Sequence, residues 1–186
     1  MNDFEGVTYK RGDNIDLGQS EFLDCQFLEI EASETDLTNS KFLECEFKSC
    51  NFSNSIVTNA TFRDVTFIDC KMIGINWTNS QALSHVKFIN CILDYNIFQN
   101  MKISGAHFEN CSLREADFSQ CKLKSANFVK SLLTSCSFNG CDLEKADFRY
   151  AKDFFIDPSY TNIKKAVFSM PEAVNLLKAF DIVIKD

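Results

Sequence analysis

The sequence predicts an all-β protein wound as a coil with four sides, one pentapeptide to each side. Two observations predict it. A large apolar residue recurs every five positions, and a small residue stands two places before most of these. A period of five fits neither a helix at 3.6 nor a strand at 2.0, so the chain turns a corner every five residues.

The register opens with Leu17, Phe22 and Phe27, passes through Ala32, Leu37, Phe42, Phe47, Phe52, Val57, Phe62, Phe67 and Met72, and reaches Trp77. It slips by one residue within 78–82 and resumes at Leu83. Phenylalanine and aliphatic residues then alternate from Phe88 and Leu93 to Leu143 and Phe148. Fourteen of the 19 phenylalanines lie on these 27 central positions. Twenty residues make one turn, so 27 repeats predict about seven coils. Stacked at the strand spacing of about 4.8 Å, they form a rod roughly 32 Å long. Residues 20 apart then stack. Phe88, Phe108, Phe128 and Phe148 form one inward column, Phe98, Phe118 and Phe138 face them, and leucine and isoleucine fill the other two.

The small slot holds Ser, Ala and all nine cysteines. No C-x2-C pair exists, and a thiol confined to this phase reads as a small buried apolar group. Stacked cysteines such as Cys50, Cys70, Cys91 and Cys111 come within disulfide range at their Cα atoms, but parallel Cβ vectors disfavour the bond. His85 lies beside the slip and His107 faces outward, neither with partners that build a triad or a metal site. Phosphate-binding glycine loops are absent from the sequence. A filled rod offers no cleft, so the expectation is a protein that is not an enzyme and carries no cofactor or metal.

The runs CSLREADF (111–118), CKLKSANF (121–128) and CDLEKADF (141–148) resemble the pentapeptide-repeat family across roughly residues 15–151. The resemblance implies that family's right-handed quadrilateral β-helix. Residues 1–14 lie before the register and are expected to form an N-terminal cap, since a stacked sheet exposes unpaired edges at both ends.

Residues 152–186 are expected to hold a loop, a capping helix and a short strand. Ser169-Met170-Pro171-Glu172 has capping-box spacing. Ala173, Leu176, Leu177 and Phe180 come next at helical spacing, and Ile182-Val183-Ile184 alternate at the end. This stripe reads either as a lid over the last coil or as a lid that also forms a symmetric dimer, since Val174, Ile182 and Ile184 leave further apolar surface. The segment resembles the tail of microcin-immunity and quinolone-resistance pentapeptide proteins, which implies a homodimer joined end to end.

Net charge is −7, which argues against direct nucleic-acid binding, and no apolar run is long enough to span a membrane. The start lacks a signal-peptide core, giving an expectation of a cytoplasmic protein. Residues 13–80 hold 12 acids and four bases, whereas residues 81–150 hold seven and eight. Stacking places Asp24, Glu44 and Asp64 in one outward column and Asp16 and Asp36 in another, with Glu29 and Glu46 nearby. Such a ladder is either a solvated face or a surface shaped for a basic cleft. The resemblance implies the second: a DNA-shaped protein that binds a type II topoisomerase, chiefly DNA gyrase, and protects it from a toxin or antibiotic. The alternative is a structural or adaptor module for another protein, docking through Leu177 and Phe180 or a flat face.

Overall fold

The five-residue register becomes a right-handed, four-sided parallel β-solenoid of about eight turns. The computed structural model describes residues 2–180 and 182. On the first face, strands Asn2–Glu5, Ser20–Leu23, Lys41–Leu43, Thr61–Arg63 and Ala82–Ser84 pair in order, all parallel. On the second, Thr8–Lys10, Gln26–Leu28, Glu46–Lys48, Thr66–Ile68, Lys87–Ile89 and His107–Glu109 do the same. Single bridges carry the third face (Glu31, Asn51, Lys71, Ile92, Ser112, Leu132, Lys152) and most of the fourth (Asp36 with Ile56; Asn76, Ile97, Asp117, Ser137). Sides this short leave little room for regular strand between corners.

All 27 central residues are buried. The rings on the second face form one continuous stack, from Tyr9 on Phe27 (5.3 Å between centroids) up to Phe148 on Phe168 (5.2 Å). The rod is longer than the seven expected coils because both ends add to it. Phe4 and Tyr9, themselves five residues apart, stack on Phe22 and Phe27, so residues 2–10 form two sides of a further coil. At the other end Val167–Phe168 pairs with Asp147–Phe148.

The slip is a single 3-10 turn, Trp77–Asn79, capped by the Asn76 side chain, which accepts from the Thr78 N–H. Pairing steps are 20 residues elsewhere among the repeats but 21 across this turn, as in Thr61 with Ala82 and Asn76 with Ile97. The offset is already present at Asn79, whose carbonyl accepts from the Asn59 N–H, and removing one residue such as Gln81 would restore the regular spacing from Trp77 to Leu83.

Every corner but the one after Trp77 is made the same way. The residue two places after the centre takes a left-handed backbone, as in Asp24 (φ 50°), Asn39 (61°) and Lys145 (62°). Its N–H donates to the coil above, for example Asp24 to the Leu43 carbonyl at 3.0 Å. The small slot also does more than save space. Ser40 Oγ donates to the Leu17 carbonyl at 2.6 Å, and Cys45, Cys50 and Cys70 Sγ donate to the carbonyls of Phe22, Phe27 and Phe47 at 3.3–3.4 Å. Serine and cysteine therefore exchange freely because each is both small and a donor to the central residue 23 positions earlier.

The C-terminal helix, Glu172–Phe180, is of the 3-10 type, with about three residues per turn. Ala173, Leu176 and Ala179 thus share a half-buried row, with Leu176 against the core, while Leu177 and Phe180 point outward. The expected capping box does not form at Ser169. Its Oγ accepts from the Tyr150 N–H at 3.1 Å, and its carbonyl accepts from Ala173. Ile182 is exposed and in no strand; Val183 and Ile184 lie outside the described residues. Among the described residues no helix is long and apolar enough to cross a membrane.

Candidate partner-binding surface

Asp24, Glu44 and Asp64 occupy successive rungs of the corner between the first and second faces. All three are exposed and take the same left-handed turn. Their carboxylates are held outward because the residue after each, Cys25, Cys45 and Val65, is buried in the small slot. Asp64 has close neighbours, with His85 Nδ1 at 3.1 Å and the Arg63 guanidinium Nε at 4.0 Å. Asp24 and Glu44 make no ion pair among the described residues. Glu46 opens the second face beside Glu44, half-buried, and Glu29 sits at the next corner, in line with Ser49 and Asp69.

Asp16 and Asp36 belong elsewhere. They lie on the fourth face, which does not adjoin that edge, and their carboxylates turn back onto their own chain. Asp16 Oδ1 accepts from Gly18 N–H at 3.0 Å and Asp36 Oδ1 from Thr38 N–H at 2.9 Å. Hydrogen bonds from Thr38 hold the Asp36 carboxyl below its ordinary value. The same turn recurs at Asn76, Asp117, Asn127 and Asp147, so an Asp or Asn immediately before the centre shapes the next corner. The seven acids expected to bind a partner therefore divide. Asp24, Glu44, Asp64 and Glu46 share an edge, Glu29 stands one corner away, and Asp16 and Asp36 serve the backbone.

Sequence reasoning missed the rungs beyond Asp64 on this edge. They continue through His85, Gly105 and Ser125 to Lys145 and Lys165, so the charge reverses from one end to the other. The signal was present in the 20-residue spacing, but the slip disguises it.

The cysteines offer no reactive centre. All nine are buried free thiols. Burial pushes Cys45 and Cys141 up to about 11 and Cys121 and Cys136 up to about 12, which keeps them protonated and poorly nucleophilic. His107 is half-buried on the second face and His85 is exposed. Among the described residues no cluster of His, Cys, Asp or Glu is placed to hold a metal.

At the C-terminal end, Ala173, Val174 and Leu176 are half-buried, and Leu177, Phe180 and Ile182 are exposed together with Tyr160 and Met170. A lid alone does not consume this surface.

The profile of the pentapeptide repeat region family matches residues 15–98 and 82–148. The chain belongs to that family. Among solved structures it is similar to full-length QnrB1, a plasmid-mediated fluoroquinolone resistance protein, at 14% identity and a TM-score of 0.57, covering 97% of this chain and 100% of that one. A trypsin-treated variant of QnrB1 gives 15% identity and a TM-score of 0.56, covering 99% and 98%. At such identity the likeness is one of fold. No curated protein matches the sequence.

Proposed function

We propose that this protein is a DNA-mimicking interaction protein, not an enzyme, that binds a type II topoisomerase, DNA gyrase first, and protects it from a toxin or antibiotic. The observation that supports this is the acidic edge. Asp24, Glu44 and Asp64 rise at one carboxylate per rung on a rigid rod, and Glu46 widens the strip. Like charges about 4.8 Å apart repel and give the fold nothing. A groove built for backbone phosphates would gain from them through complementary potential. QnrB1, whose fold this chain shares over nearly its whole length, is a fluoroquinolone resistance protein, which makes a fluoroquinolone the first inhibitor to try.

Within this reading the exposed Leu177, Phe180 and Ile182 join two rods end to end as a homodimer, and the protein acts in the cytoplasm, where nine unpaired thiols are at home. The test is a supercoiling assay with DNA gyrase and a fluoroquinolone. Adding the protein should restore supercoiled product at drug concentrations that otherwise block it. Unchanged inhibition at every protein concentration would refute protection from that drug class.

A second reading, an adaptor for another protein, is favoured by exposed Ile92, Tyr95 and Ile97 at mid-rod. Binding through them would survive high salt.

A further inference from the structure

We infer that two copies of this chain pair side by side and antiparallel along the edge between the first and second faces, each covering its acidic rungs with the other's lysines. The pairing stands apart from the end-to-end contact and holds whether or not the acidic edge also meets a topoisomerase.

The order of residues along that edge carries the inference. Above Gly6 at the N-terminal end it reads Asp24, Glu44, Asp64, His85, Gly105, Ser125, Lys145 and Lys165, all in the left-handed corner conformation. Placed against a reversed copy, Asp24 meets Lys165, Glu44 meets Lys145, Asp64 meets Ser125 and His85 meets Gly105. A two-fold axis between the rungs of His85 and Gly105 generates every pair twice, as a self-complementary interface requires. The pitch matches by construction, because both partners are rungs of the same solenoid.

Three local features fit. Lys145 and Lys165 are exposed, stacked on adjacent rungs, and make no ion pair among the described residues, as do Asp24 and Glu44 at the other end. Each pair repels itself within one chain and is relieved by the opposite end of another. Gly105, with φ 73° and open space where a Cβ would stand, leaves room for the exposed His85 imidazole of the second copy. Flanking the edge, the two-fold would bring Arg63 toward Lys124 and Glu46 toward Asp147. Lys124 is already neutralised by Glu144 at 2.7 Å and Asp147 by Arg149 at 2.6 Å.

The consequence is concentration-dependent masking. A paired rod hides Asp24 and Glu44, so any partner of the acidic edge must compete with a second copy.

The test is sedimentation velocity on the full chain, with circular dichroism to verify each variant's fold. At low salt the weight-average mass should rise toward twice that at high salt. The double variant Asp24→Lys/Glu44→Lys, and separately Lys145→Glu/Lys165→Glu, should each lose this salt-dependent increase, since both end pairs of the edge then carry the same sign. Mixing the two variants in equal amounts should restore it, because all four contacts become complementary again. The idea fails if wild type shows no salt-dependent increase, if either variant alone keeps it, or if the mixture does not recover it. Loss of the increase in Leu177→Asp/Phe180→Asp would assign it to the end-to-end contact and likewise overturn the pairing. Duplex DNA bound by the lysine end, with no change in mass at low salt, would also contradict it.

Discussion

The coils before Trp77 and those after Leu83 obey the same repeat yet fill their cores differently. In the first half the aromatic columns occupy adjacent faces. Phe22, Phe42 and Phe62 stack on one, Phe27, Phe47 and Phe67 on the next, and the two meet edge to face, as Phe22 does Phe27 at 5.2 Å and 77°. The remaining faces receive Ala32, Leu37, Phe52, Val57 and Met72, and an apolar void of about 10 Å³ remains between these and the rings, bounded by Leu37, Val57 and Met72 on one side and Phe42, Phe47, Phe62 and Phe67 on the other. In the second half one aromatic column has moved to the fourth face, as Phe98, Phe118 and Phe138, opposite Phe88, Phe108 and Phe128. Mainly leucines fill both gaps. Trp77 stands at the changeover, stacked on Phe98 at 6.1 Å and edge-on to Phe62. Rings set across from each other leave matched spaces for two aliphatic columns. Rings set side by side leave unequal ones.

The sharpest way to break this comparison is to disturb the register in one half only. Deleting Lys122 from the second half should abolish folding, because every later central residue would shift out of phase with the coil below. Deleting Gln81 at the junction should leave a cooperative melt close to wild type, since it converts the 3-10 turn into an ordinary corner. Thermal unfolding by circular dichroism separates the two. Next in size, Phe128→Ala removes a ring stacked at 5.1 and 5.0 Å on Phe108 and Phe148, and should cost about 3–5 kcal/mol in chemical denaturation. Smaller still is the effect of adding volume. Leu113→Phe overpacks the second half and should lose about 1–3 kcal/mol, whereas Val57→Ile grows into the void and should gain up to about 1 kcal/mol. Equal losses for both would mean that the halves are packed alike.

Much of this was legible in the sequence because inward residues are fixed by geometry. Phe22 to Phe148 could be counted off by fives, and the slip located within 78–82. The ends were harder. Phe4 and Tyr9 keep the five-residue spacing, but two repeats are too few to recognise ahead of the break before Leu17. The C-terminal helix was legible as an element and not as a type, since the apolar pattern of Ala173, Leu176, Leu177 and Phe180 suits an α-helix equally well. The candidate surface was partly legible. Period-20 stacking placed Asp24, Glu44 and Asp64 together, yet it could not show that Asp16 and Asp36 spend their carboxylates on Gly18 and Thr38. That distinction depends on whether a residue stands before a centre or at a corner.

The acidic edge is tested most directly by charge reversal without loss of fold. Lysine already occupies the same corner conformation at Lys130, Lys145 and Lys165, so Asp24→Lys/Glu44→Lys should shift Tm by no more than about 2 °C. The deciding measurement is the affinity of that variant and of wild type for DNA gyrase at low salt, at protein concentrations below those of self-association. The account predicts at least a tenfold weaker Kd for the variant, and a wild-type Kd that rises steeply with salt. Equal affinities at an unchanged Tm would contradict it.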